Sequence, residues 1–180
     1  MPCFMERKSA FSGTDKGFTL IELIVAMAIL ALVSSGLLGN FLSSQKKARD
    51  SQRKSDLKQL QNALEAFAND HQGRYPDDDG SGNIAACPAP ADGGLTGGSC
   101  QWGLGEFKMT DGAIYIKKMV EDPKEIDYYY TATADNLGYK LYACLENDQD
   151  SDYYEYVSVN CLGCDSDHCT YGVASSNQEP

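Results

Sequence analysis

Residues 18–42, FTLIELIVAMAILALVSSGLLGNFL, hold one charged side chain, Glu22, in a run of 25 residues. As a continuous helix such a run measures about 37 Å, against about 30 Å of bilayer hydrocarbon. It is too long for the apolar core of a secretory signal, and no Ala-x-Ala site closes it. That excludes an ordinary cytosolic globule and predicts a membrane-spanning segment. The rest of the chain is polar and acidic. The 180 residues carry a formal net charge of −11, and the basic residues that follow the apolar run cluster at Lys46, Lys47, Arg49, Arg53 and Lys54. A field of that sign repels phosphates, so nucleic acid is disfavoured as a partner. Catalysis has little to stand on: the two histidines, His71 and His168, belong to no nucleophile, phosphate-loop or zinc-protease pattern. The chain reads as a non-enzyme.

The residues at the head of the run carry a resemblance. Lys16-Gly17-Phe18-Thr19-Leu20-Ile21-Glu22 resembles the processing site of type IV pilins and of the pseudopilins of type II secretion. The resemblance implies a leader at residues 1–17, removed by prepilin peptidase between Gly17 and Phe18, and N-methylation of Phe18. It also implies that Glu22 pairs with the Phe18 amine of a neighbouring subunit during assembly. A carboxylate in a membrane segment is costly alone and tolerable beside an amine. From the residues alone, Glu22 also reads as an interfacial acid favoured by its helix N-terminus. Charge counting runs the other way on topology. More Lys and Arg follow the run than precede it, which by the positive-inside bias would leave residues 43–180 in the cytoplasm. The resemblance and the cysteine content place them outside.

Beyond the run, residues 43–70 keep helical spacing, with Ala48, Leu57, Leu60, Ala63, Leu64 and Phe67 on one apolar stripe. One helix from Phe18 to about Asn69 follows, half anchor and half scaffold. Gly73-Arg74-Tyr75-Pro76 ends it and again resembles major pseudopilins and many pilins. Residues 71–111 read as a variable loop and 112–160 as a sheet region, with 112–120 ambiguous between helix and strand. Three runs alternate or are dense in Tyr, Ile, Leu and Val: Ile126–Ala132, Gly138–Leu145 and Tyr153–Val159. The short turns predict an antiparallel meander that covers the helical stripe. The expected fold class is α+β and pilin-like: a long N-terminal helix, membrane-embedded in its first half, packed on a small antiparallel sheet. The expected organisation is a leader at 1–17, a transmembrane and filament-core half-helix at 18–42 and a globular part at 43–180.

Six cysteines follow the leader: Cys87, Cys100, Cys144, Cys161, Cys164 and Cys169. An even number in an exported segment reads as three disulfides among 15 connectivities. Cys87 and Cys100 suit a short loop closure, and the others a tail tied to the sheet through Cys144. By spacing alone, Cys161, Cys164, His168 and Cys169 also resemble a zinc set. Asp148, Asp150 and Asp152 place carboxylates at alternate positions, like the start of a calcium loop. Tyr153 stands where that loop needs glycine and Val159 where it needs glutamate, so a polar turn between strands is the competing reading.

The resemblance implies a structural subunit of a type IV pilus, polymerising through its N-terminal helix after cleavage. Such a chain would be a single-pass cytoplasmic-membrane protein first and part of an extracellular pilus or periplasmic pseudopilus afterwards. Its partners would be further copies of itself in a helical filament, prepilin peptidase, the inner-membrane assembly machinery and the membrane. The alternatives are the major pseudopilin of a type II secretion system or a membrane-anchored extracytoplasmic binding module.

Overall fold

A computed structural model describes residues 17–35, 38–88, 94–110, 112–155, 157, 159, 161, 164 and 168–178. The chain divides into two compact units, Met1–Phe41 and Leu42–Pro180. Residues 1–16 of the expected leader lie outside the described residues.

The apolar run forms helix α1, Leu20–Ser35, of 16 residues. Its residues 20–34 are exposed all round. At 1.5 Å per residue it measures about 24 Å, short of the roughly 30 Å of hydrocarbon. Among the described residues no helix is long and apolar enough to cross a membrane. This corrects the sequence reading on several counts. The membrane-embedded first half, the transmembrane anchor, the single-pass localisation and polymerisation through a spanning helix all rested on one unbroken apolar helix. The described helices are two: α1, and α2 at Leu38–Asp70.

Helix α2 presents a stripe at alternating spacings of three and four. Leu57, Leu60, Leu64 and Phe67 are fully buried, with Ala63 and Ala68 beside them. Ala48, expected on the same stripe, is exposed. The helix ends in a Schellman-type turn. The Gly73 N–H donates to the Ala68 carbonyl at 2.8 Å, while Gln72 and Gly73 take φ of 58° and 80°.

Two small sheets cover the stripe. In the first, β1 (Phe107–Lys108) pairs antiparallel with β2 (Ile114–Ile116), so the ambiguous 112–120 segment contains a strand. The second is a meander of β3 (Tyr129–Ala132), β4 (Tyr139–Ala143) and β5 (Tyr171–Ala174), all antiparallel. Its register sets Leu141 opposite both Tyr130 and Val173. The third strand is therefore drawn from the tail. The described residues of Tyr153–Val159, namely 153–155, 157 and 159, are in no strand. Alternation along β4 divides its side chains between two clusters. Tyr139, Leu141 and Ala143 join the main core with α2, whereas Tyr142 and the adjacent Cys144 join a second cluster with Cys161, Cys164 and Cys169.

The outer edge of β3 is covered by a loop over residues 78–84. The Tyr130 N–H donates to the Gly82 carbonyl at 2.8 Å, and the Ala132 N–H to Asp78 at 3.0 Å. Gly82 has φ of 92°, and a Cβ there would lie 2.5 Å from the Tyr129 ring, so only glycine permits this approach.

Candidate functional site

Two places carry chemistry: the N-terminal motif, and the turn of α2 where charge is buried. At the motif, Phe18 is 85% exposed. A Cβ built on Gly17 would meet nothing within 4 Å. The fold therefore does not require glycine at position 17, and a requirement for it must come from whatever reads the motif.

Thr19 and Glu22 form a reciprocal capping box. The Glu22 N–H donates to the Thr19 hydroxyl oxygen at 3.3 Å, and the Thr19 N–H donates to the Glu22 carboxylate at 3.4 Å. The Thr-x-x-Glu spacing is the sequence signature of that cap. The sequence reading assigned Glu22 an assembly or interfacial role and missed the cap, although the spacing of Thr19 and Glu22 signals it. Glu22 thus stabilises the start of α1, and its exposed carboxylate remains accessible to another chain.

The second place lies one turn before Leu57 on the same stripe. Asp50 and Arg53 are 1% and 0% exposed, and Asp122 is 4% exposed. Arg53 donates Nε–H to one oxygen of Asp122 at 2.5 Å and Nη2–H to the other at 3.1 Å, a bidentate pair. Its Nη1 reaches Asp50 and Glu146, each at 2.9 Å. Arg49 grips Glu146 with two bonds of 2.7 and 2.6 Å, and Lys124 adds a contact at 2.8 Å. Asp50 also accepts the N–H groups of Glu146 and Asn147, both at 2.9 Å. Three carboxylates meet three cations, so the cluster is neutral. Burial alone would lower the Arg53 pKa, but Asp122, Glu146 and Asp50 together raise it above the usual guanidinium value. The Arg49 guanidinium, helped by Lys124 and Arg53, holds Glu146 well below the usual carboxylate range against the opposing effect of burial.

This arrangement uses most of the basic turn internally. Lys54 donates to Asp150 at 2.6 Å and to Asp152 at 2.8 Å. Asp148 is exposed. Two of the three aspartates read as calcium ligands therefore already share an ammonium, which fastens the 146–152 loop to α2. Lys46 and Lys47 stay exposed.

The cysteines pair as Cys87–Cys100, Cys144–Cys164 and Cys161–Cys169. The first closes the loop that packs beside Ile84. The other two place the tail against the end of β4 and deliver β5 to its edge.

The buried charges of the α2 turn pair with one another and with backbone N–H groups, so the cluster serves to pack α2 against the segments that carry Asp122 and Glu146. Residues 13–38 match the prokaryotic N-terminal methylation motif. The chain is 35% identical over 71 residues to the type IV major pilin protein PilA of Myxococcus xanthus, covering 39% of this chain and 32% of that one. It is 28% identical over 119 residues to the type II secretion system core protein G of Vibrio cholerae, covering 66% and 72%. A third relative, the type IV wide pilus major component PilA4 of Thermus thermophilus, is 49% identical over 35 residues, or 19% and 27%. The chain thus spans about a third of the Myxococcus pilin. No solved structure matches. The chain thus carries the N-terminal methylation motif and is similar to type IV pilins and type II secretion pseudopilins, which are structural and not catalytic proteins.

Proposed function

We propose that the chain is a core structural subunit of the type II secretion kind, working as a pseudopilin alongside copies of itself. The observation that carries this is the length of one match. The 119 residues shared with the secretion core protein G cannot be confined to the motif and the helices, which end at Asp70. The match to the Thermus pilin, of 35 residues, is short enough to fit within that part, and the 71-residue match to the Myxococcus pilin exceeds its 58 residues (13–70) by 13, far less than the 119-residue match does.

On this reading prepilin peptidase and the inner-membrane assembly machinery receive the chain. Cleavage falls between Gly17 and Phe18, Phe18 is N-methylated, and the new amine meets the exposed Glu22 carboxylate of a neighbouring copy. Deleting the gene in its native host should trap type II substrates inside the cell envelope and leave surface pili in place. Unimpaired secretion with loss of pili would overturn the proposal. Processing is tested separately by Gly17→Ala, which costs the fold nothing sterically. It should leave the uncut chain, whereas mass spectrometry of a normal N-methylated Phe18 terminus in that variant would refute the assigned cleavage.

A further inference from the structure

Four of the six paired cysteines converge on one point at the end of β4. Cys144, Cys161, Cys164 and Cys169 are all at most 7% exposed. Cys144 and Cys161 belong to different disulfides, yet the Sγ atoms of Cys144, Cys161 and Cys164 all lie within 4.8 Å of one another. Cys169 is bonded to Cys161 but lies outside that set of three, so the fourth sulfur stands beside the cluster and must rotate in once the bond is open. Around a tetrahedral zinc ion, with Zn–S about 2.3 Å, thiolate sulfurs stand about 3.8 Å apart. Small side-chain rotations separate the two spacings.

The backbone that carries these cysteines is held by bonds that do not depend on sulfur. The Cys169 N–H donates to the Val159 carbonyl at 3.1 Å, and the Thr170 N–H to the Ala143 carbonyl at 3.1 Å. The Leu145 N–H donates to the Thr170 hydroxyl at 2.6 Å, and the Cys164 N–H to the Cys161 carbonyl at 3.2 Å. Opening the disulfides leaves three thiols gathered at one place, with the Cys169 thiol beside Cys161 to supply the fourth. A cavity of about 90 Å³, bordered by Lys124, Glu146 and Tyr153, reaches Cys144 and Cys164 and gives an ion a way in.

We propose that the thiol form of this chain binds one soft divalent cation of the zinc class on Cys144, Cys161, Cys164 and Cys169, and that oxidation of the four thiolates to two disulfides releases it. Loading is balanced: four thiols and one zinc ion give the tetrathiolate complex and four protons. Release is balanced by two molecules of a small disulfide oxidant. They accept four electrons and, with four protons, become four thiols, leaving two protein disulfides and free zinc. The site is independent of the secretion role, since it needs neither cleavage nor assembly.

The full chain, reduced without oxygen by a phosphine, is titrated with cobalt(II) and then zinc(II). Each bond opened consumes one phosphine and one water, yielding two thiols and a phosphine oxide. The expected result is one cobalt per chain with thiolate-to-cobalt charge-transfer and tetrahedral d–d bands, displaced by zinc and absent from the oxidised chain. Cys87→Ser/Cys100→Ser should keep the site. Cys144→Ser should weaken it by more than about tenfold, as even loss of a supporting residue does at metal sites. Cys169→Ser should give a three-thiolate spectrum, which serves if Cys144→Ser disturbs the sheet by circular dichroism. A reduced chain with no cobalt bands, wild-type affinity in both Cys144→Ser and Cys169→Ser, or wild-type affinity in the urea-denatured chain would each overturn the proposal.

Discussion

Replacing Arg53 by methionine keeps the apolar stem and removes the guanidinium charge from a position with no solvent exposure. It abolishes four hydrogen bonds to carboxylate oxygens and leaves Asp50, Asp122 and Glu146 facing only Arg49 and Lys124. Removing one partner of a buried ion pair costs about 3–5 kcal/mol, because the opposite charge stays in place without compensation. For a chain of this size each kcal/mol moves the melting temperature by about 2–4 °C, so Arg53→Met should lower it by about 10 °C. Urea unfolding of the disulfide-intact chain should show a lower midpoint with an unchanged slope. The two remaining aspartates differ in what they keep. Asp50 retains the N–H groups of Glu146 and Asn147, whereas Asp122 retains only the Lys124 N–H, at 2.7 Å. Arg53→Met/Asp122→Leu should therefore recover much of the loss, and Arg53→Met/Asp50→Leu should not, since it strips two N–H groups of their acceptor. If Arg53→Met costs less than about 1 kcal/mol, as an exposed pair would, the cluster does not bear the load assigned to it.

Acid should erode stability that paired carboxylates supply. Glu146 is held below its ordinary carboxylate range by Arg49, and Asp79 is lowered to about 2, since burial is outweighed by bonds from Ser99 and Asn83. Both stabilise the fold above the ordinary carboxylate pKa and lose that contribution as pH falls below it, so stability measured from pH 7 to 3 should decline, and Glu146→Gln should flatten the decline. Alkali acts on the tyrosines with the opposite sign. Burial and the bond to Glu65 raise Tyr75 to about 12, a contribution complete below pH 10 and lost as pH rises through that value. Phenolate absorbance should therefore show Tyr75 silent until well above the exposed tyrosines. Lys54→Ala should cost less than about 1 kcal/mol, since its pairs with Asp150 and Asp152 are partly exposed, and calorimetry showing a loss as large as that of Arg53→Met would contradict the ranking.

The helical stripe was legible because spacing of three and four is a covalent property of the helix, independent of what packs on it. The same spacing, run one turn backwards from Leu57, falls on Arg53 and Asp50, and run forwards from Phe67 falls on His71, which is buried and stacked 3.7 Å from the Phe67 ring. Between Ala48, which is exposed, and Leu57 the stripe holds no apolar residue, and nothing local says that a charge will be buried. Its partners, Asp122 and Glu146, stand 69 and 93 residues away. The third strand was hidden for a related reason. Tyr153–Val159 has the better strand composition, but Tyr171–Ala174 follows a cysteine fixed by Cys161–Cys169 and a threonine bonded to both Ala143 and Leu145. Local propensity is worth tenths of a kcal/mol per residue, while a disulfide and a set of ladder bonds are worth several. The tail therefore takes the edge of β4. The apolar run misled in the opposite direction, because composition sets how greasy a segment is but not how far its helix runs, and among the described residues α1 covers Leu20–Ser35, too short to cross a membrane.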